Sequence, residues 1–298
     1  MATSGQIFSG EQIRGLFVTD LDGTLLTDDG DISATDLRTL SCMQKKGILT
    51  AIATGRSDYS FNVLLDSLGF AGDRSSFPVD FVIFSTGAGI LKYPEQKLLE
   101  SFSLGRKDVS SITKYLCSYN LDFMVHLPVP DTRYFLYSSH VHENTDFQAR
   151  LKKYNDFARP FSRSALLTIN GATEVLCIVP KKNAHEIAAV IAEHFQQFSV
   201  IKATSPLDGE SIWIEIFAPT VSKSLAVQWL IAYLGSAKEN VCAIGNDYND
   251  EDLLCFAGHG FVVANSPSPL LNGYKKVASN NENGVSEAAR RWLETYNG

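Results

Sequence analysis

Two aspartates, Asp20 and Asp22, close the apolar stretch LFVTD and open a Gly-Thr turn. A strand that ends in a turn presents its last side chains at an open sheet edge, and like charges gathered there repel unless a cation joins them. Asp-x-Asp-Gly also begins calcium loops, but such a loop closes on a Glu at its twelfth position and follows a helix. The twelfth residue from Asp20 is Asp31 and no helical pattern precedes it, which argues against an EF-hand.

Three further segments carry compatible chemistry. Thr54 and Gly55 end the apolar run ILTAIATG, where a hydroxyl and neighbouring backbone N–H groups suit a phosphate oxygen at a helix start. Arg56 follows and can pair with an acid or reach a substrate. Lys223 opens SKSLAVQWLIAYLG behind the helix cap Ser222. A cation in a first helical turn opposes the helix dipole by about 0.3–1 kcal/mol, a cost that makes sense if Lys223 faces carboxylates and a phosphate. Finally, GNDYNDEDLL gathers Asn246, Asp247 and Asp250 between a strand and a helix, while Glu251 and Asp252 fall in the first helical turn, where acids are favourable. Carboxylates gathered without a cation would repel a phosphate. Mg²⁺ resolves that conflict, because it takes hard oxygen ligands, shares its coordination with waters and substrate phosphate, and polarises the phosphoryl group. The residues by themselves indicate phosphoryl transfer.

The elements that must position these residues follow a simple rhythm. After LFVTD comes SATDLRTLSCMQKKG, where Ser33 and Asp36 suit a helix start, Leu37, Leu40 and Met43 line one face, and Gly47 suits the end. The pattern recurs: ILTAIATG precedes SDYSFNVLLDSLG, FVIFSTG follows, and VCAIGND precedes DEDLLCFAG with GFVVAN after it. Apolar runs alternating with amphipathic segments predict a doubly wound, Rossmann-like parallel sheet of the α/β class, whose ligands bind beyond the carboxyl ends of the strands. Asp20, Thr54 and GNDYND all fall at such ends. In SKSLAVQWLIAYLG the expected buried face carries Leu225, Trp229 and Leu230. Between residues 88 and 217 the segments become shorter and alternating, as in YFLYSSHVH, TEVLCIVP and SIWIEIFAP, so an inserted α+β domain is expected there, with residues 1–87 and 218–298 forming the core.

Composition bounds the partners. A chain of 298 residues with 45% hydrophobic residues can bury two domains' worth of core. A formal charge of −7 disfavours nucleic acid and anionic membrane surfaces. No apolar run approaches the roughly 18 residues of a membrane span, and MATSGQIFSGEQIRG lacks the apolar centre of a signal peptide. Five singly placed cysteines suit a reducing compartment, so a cytoplasmic location is expected, with a small phosphorylated metabolite as partner and no obligate protein partner evident. HVHEN places His140 and His142 on one face of an extended segment, but no third zinc ligand stands at a diagnostic spacing. Those histidines, with His126 and Arg133, read as surface polar residues or substrate contacts. TGAG at 86–89 is a fragment of a dinucleotide fingerprint and no phosphate-binding P-loop occurs.

In order, DLDGTLL at 20–26, TGR at 54–56, SK at 222–223 and GNDYND at 245–250 resemble the haloacid dehalogenase (HAD) superfamily, specifically its Cof-type sugar-phosphatase branch with a large α/β cap. STGAGI at 85–90, IEIFAPTVSK at 214–223 and SNNENGVSEA at 279–288 extend the resemblance over most of the chain. The resemblance implies a HAD core with an inserted α+β cap, and a Mg²⁺-dependent phosphatase acting on sugar phosphates. It makes Asp20 the nucleophile that forms an aspartyl-phosphate and Asp22 the general acid and base. Thr54 and Gly55 would bind the phosphate with Lys223, which would also offset charge on Asp20. The metal would be held by the Asp20 side chain, the Asp22 carbonyl and the fourth motif. That motif usually reads Gly-Asp-x-x-Asn-Asp; here residue 246 is Asn, so Asn246 with Asp250 is the expected pair and Asp247 the substitute. Ser224 stands where the family often has Gly. A phosphomutase, or a phosphometabolite-binding protein without turnover, are the alternative functions.

Overall fold

The computed structural model describes residues 14–296 except 94, 141, 142, 182, 183 and 206. The expectations for the first thirteen residues and for His142 lie outside the described residues.

The chain divides into two compact units, one formed by the chain through Arg56, Phe61–Glu100 and the chain from Ser222, the other by Ser57–Ser60 and Ser101–Val221. The first unit is built on a sheet whose described strands run, edge to edge, Lys275–Lys276, His259–Val262, Val241–Gly245, Gly15–Thr19, Ile48–Ala53, Phe81–Phe84, Gly89–Lys92 and Lys97–Ser101. The strands from Lys275–Lys276 to Phe81–Phe84 pair in parallel, and Gly89–Lys92 turns back antiparallel. Helices cover both faces, as a parallel sheet requires. Leu16 and Val18 pack with Ala226, Val227, Leu230, Leu253 and Leu254. Phe17, between them in the strand and therefore on the other face, lies against Trp292 of the Gly284–Tyr296 helix, ring centroids 6.2 Å apart. The α/β, doubly wound architecture is as the sequence rhythm predicts.

Local chemistry sets the helix boundaries. Ser33 accepts a hydrogen bond from the Asp36 amide at 3.0 Å, and Gly47 ends that segment with φ +75°. Ser222 accepts from the Leu225 amide, and Gly235 closes the Lys223–Leu234 helix with φ +67°. One expectation about this helix fails: Leu225 is exposed, and the buried stripe is Lys223, Ala226, Val227, Leu230 and Ile231. The helix is apolar on nearly every side, so hydrophobicity alone does not select its inner face. The inner face is the one that begins with the lysine.

The second unit carries a sheet in the order Ser199–Thr204, Ile212–Phe217, Glu174–Val179, Phe123–His126, Phe135–Ser138 and Ala158–Pro160, antiparallel but for its last pair. Helices Arg106–Ser118, Thr145–Lys153 and Ala184–His194 accompany it, so this unit is α+β. Phe147 from the second of these helices packs with Met124, Phe135, Leu176, Ile178 and Trp213. His126, expected at the surface, is buried with Nδ1 2.8 Å from the Thr132 carbonyl, and burial pushes its pKa down to about 3. Nearby Glu174 is pushed up to about 8 by burial and then by the Glu215 carboxylate. Burial disfavours the charged form of both groups.

Candidate active site

In the large sheet the chain winds outward in both directions from the Gly15–Thr19 strand, so the crevice between that strand and Val241–Gly245 is the switch point at which open α/β sheets bind ligands. Thr19 pairs with Ile244 on one side and with Ile52 on the other. Asp20, the Asn246 loop and Thr54 therefore leave three adjacent strands at nearly the same level.

Asp20 sits at the centre. Its amide donates to the Ile244 carbonyl at 2.9 Å, fixing where the strand stops. Lys223 Nζ donates to Asp20 Oδ1 at 2.7 Å and to Asp250 Oδ1 at 2.6 Å, and Lys223 is wholly buried. Asp250 Oδ2 accepts the amides of Asn246 and Asp247 at 2.9 and 3.1 Å, so both oxygens of that buried carboxylate are engaged. Burial opposes the charge on Lys223, but the two carboxylates outweigh it and hold its pKa well above the ordinary lysine range. One cation then faces two carboxylates. Asp20 carries the shortfall: burial first, then Asp250, push its pKa up to about 7 against the pull of Lys223. The centre lacks about one positive charge.

Thr24 is buried beside it and was not singled out by the sequence. Its hydroxyl lies 2.9 Å from Asp20 Oδ2 and 3.3 Å from Asn246 Oδ1, so a carboxylate oxygen and an amide oxygen converge on one point. Asp247 instead caps the Tyr248–Asp250 turn, its Oδ1 accepting the Tyr248 amide at 2.8 Å. Among the described residues no three His, Cys, Asp or Glu side chains form a ready metal cage. A mixed oxygen set beside excess buried negative charge is nevertheless suited to a hard divalent cation, which takes carboxylate, amide and water oxygens alike.

Asn246 reaches this point because residue 23 is glycine. Gly23 has φ +73°, and a Cβ there would lie 2.4 Å from Asn246 Nδ2. Gly30 has a similar φ of +81° with nothing within 4 Å of a Cβ. Either residue replaced by alanine loses about 1–2 kcal/mol from the left-handed backbone. Gly23→Ala is expected to lose more than Gly30→Ala in thermal melts, the excess measuring the contact with Asn246; equal losses would remove that contact from the account.

Thr54 is fully buried and its Oγ1 accepts the Arg56 amide at 3.0 Å, while Gly55 is exposed beside it. Thr54 also accepts the Thr86 amide through its carbonyl at 3.0 Å, and Arg56 likewise accepts the Ser85 amide at 2.8 Å. Ser85 and Thr86 hold positive φ of 47° and 55°, conformations that such residues keep only where surrounding bonds enforce them. The Asp22 carboxylate is met by Arg56, whose Nε and Nη2 lie 2.8 and 2.6 Å from its two oxygens. The back of the turn that follows Asp20 is fastened by asparagines that sequence reading passed over: Asn265 donates to the Gly23 carbonyl at 2.8 Å, and Asn280 to the Leu26 carbonyl at 3.0 Å. Asn280 lies in the SNNENG segment noted for its resemblance, the one available signal.

The profile of the haloacid dehalogenase-like hydrolases matches residues 17–288. The chain is 24% identical to the putative phosphatase YxeH of Bacillus subtilis (strain 168), over 92% of this chain and 96% of that one. It is 27% identical to the 5-amino-6-(5-phospho-D-ribitylamino)uracil phosphatase YwtE of the same organism, over 90% and 94% of the two chains. Its fold is similar to that of the HAD subclass IIB sugar phosphatase BT4131, with a TM-score of 0.73 at 15% identity, covering 93% of this chain and 98% of that one.

Proposed function

The chain belongs to the haloacid dehalogenase-like hydrolase family and is a phosphatase, and from that premise we propose that it hydrolyses small phosphorylated metabolites, sugar phosphates foremost, through an aspartyl-phosphate on Asp20 with Mg²⁺ as cofactor. The observation that carries this reading is the buried lysine shared by two carboxylates at the sheet's switch point, which leaves Asp20 short of positive charge where a phosphoryl group would sit. The substrate class is supported by the names of YwtE and BT4131, whose substrates are a phosphorylated ribityl compound and sugar phosphates.

In this reading an Asp20 oxygen attacks phosphorus, the bond to the leaving oxygen breaks, and Asp22 gives its proton to that oxygen. Water then attacks the aspartyl-phosphate and returns a proton to Asp22, freeing phosphate. Splitting the displacement in two with one carboxyl as acid and then base is ordinary covalent catalysis. Thr54 and Gly55 hold phosphoryl oxygens through hydroxyl and amide groups, and Lys223 offsets the charge of Asp20 and the transferring group. Asp20, the Asp22 carbonyl and Asn246 would hold Mg²⁺, with Asp250 acting through Lys223 and the loop amides it anchors. When bound, the ion supplies charge neutralisation for Asp20 and the phosphoryl oxygens. The Ser101–Val221 unit would be the inserted cap that the family resemblance implies. A cytoplasmic setting agrees with cysteines that form no disulfide among the described residues, none of whose helices is long and apolar enough to cross a membrane.

The test is phosphate release from sugar phosphates, nucleotides and pyridoxal phosphate, with Mg²⁺ and with chelator. Mg²⁺-dependent release with a preference for sugar phosphates is expected. Isomerised sugar phosphate in place of free phosphate would overturn hydrolysis in favour of a mutase, and binding without release from a folded sample would leave only a ligand-binding role.

A further inference from the structure

Asp22 is the half-exposed member of the site, with 45% of its side chain accessible to solvent. A carboxylate that free would spread over several rotamers, yet proton transfer in either direction needs one orientation toward the leaving oxygen or the attacking water. The guanidinium of Arg56 supplies that orientation by meeting both Asp22 oxygens, Nε to Oδ2 at 2.8 Å and Nη2 to Oδ1 at 2.6 Å. A two-pronged contact of this kind fixes the plane as well as the position of the carboxylate, which a lysine's single ammonium cannot do.

Arg56 is itself referenced to the phosphate loop. Its amide donates to Thr54 Oγ1 at 3.0 Å, and its carbonyl accepts the Ser85 amide at 2.8 Å. The guanidinium thus grows from a backbone segment tied at both ends to the Thr54 turn and its partner. We propose that Arg56 is a positioning residue that aims the Asp22 carboxyl group at the oxygens bonded to phosphorus, so that the proton donor and the phosphate-holding turn move as one rigid frame. This rests on the reading of Asp22 as general acid and base. Arg56 makes no bond to the reacting atoms in this account, and the proton still passes between Asp22 and the leaving oxygen or water.

The consequence is a dependence on leaving group. An alkyl ester expels a strongly basic oxygen and needs the proton as its bond breaks, whereas a nitrophenolate leaves without one. In Arg56→Ala, kcat/KM for ribose 5-phosphate is expected to fall about 10²-fold, the effect of a misplaced catalytic group, and for p-nitrophenyl phosphate less than about tenfold. Arg56→Lys, which keeps charge but not the fork, should fall between Arg56→Ala and the parent, and Arg56→Ala added to Asp22→Asn should cause no further loss, because a positioning residue has nothing left to position. Equal losses for the two esters, or full additivity with Asp22→Asn, would overturn the proposal and make Arg56 a direct substrate contact or a structural residue. Parent-like turnover of both esters by Asp22→Asn would instead sink the acid-base reading on which it rests. Release from neither ester by the folded parent protein would sink the phosphatase reading itself.

Discussion

Asp20→Asn should abolish phosphate release, by about 10⁴-fold or more, while making the metal-free protein harder to melt at pH 8. The loss of turnover is that of a removed nucleophile. The gain in stability follows from charge. Asp20 titrates near pH 7 in the folded protein because burial and Asp250 disfavour its anion, against 3.8 as its ordinary value. Between those two pH values the folded chain holds a proton that the unfolded chain has released, so stability declines as pH rises through the window. Asparagine removes that decline, leaving Lys223 opposite the single carboxylate of Asp250, and the amide can still accept from Nζ. The expected gain at pH 8 is on the order of 1–4 kcal/mol and vanishes at pH 4. Mg²⁺ should raise the melting temperature of the parent and much less that of the variant, since the proposed site makes Asp20 the ion's charged ligand. A variant that melts lower than the parent at pH 8 would refute the excess-charge account of the centre; retained turnover would remove Asp20 as nucleophile.

Lys223→Met is the converse experiment. The side chains are similar in length and the position is wholly buried, so packing is largely kept while the cation disappears. Asp20 and Asp250 would then face one another across an apolar side chain. Breaking a buried ion pair by removing one partner costs about 3–5 kcal/mol, and Lys223 serves two partners, so the upper part of that range is expected in denaturant melts. Turnover should fall at least about 10²–10³-fold with the loss of a preorganised charge. Lys223→Met combined with Asp250→Asn should recover much of the stability, because one buried carboxylate is neutralised, and none of the turnover. Failure of that rescue would mean that Lys223 stabilises the fold by some route other than the two contacts at 2.7 and 2.6 Å.

The parallel sheet was legible because a strand buried on both faces must be a short continuous apolar run and its covering helix must be amphipathic, and both patterns repeat from LFVTD onward. The ends of the helices were legible too, since Ser33, Gly47, Ser222 and Gly235 act on their own neighbours in sequence. Thr24 was not. Nothing local distinguishes it from any turn threonine, and it becomes part of the site only because Asn246, 222 residues away, arrives 3.3 Å from its hydroxyl. Asn265 and Asn280 escaped for the same reason, being ordinary loop asparagines until the turn that follows Asp20 is laid against them.

By itself, then, the sequence determined the class of fold, the strand ends at which chemistry is displayed, and the kinds of group displayed there, because these depend on residue type and on spacing along one chain. Only the tertiary structure decided which side of the Lys223–Leu234 helix turns inward, that Lys223 bridges Asp20 and Asp250, that Asp22 is held by Arg56, and that Asn246 points at Asp20's threonine while Asp247 caps a turn. Those outcomes depend on groups contributed by strands and helices far apart in sequence, and a buried charge such as that of Lys223 has no defined cost until its partners are in place.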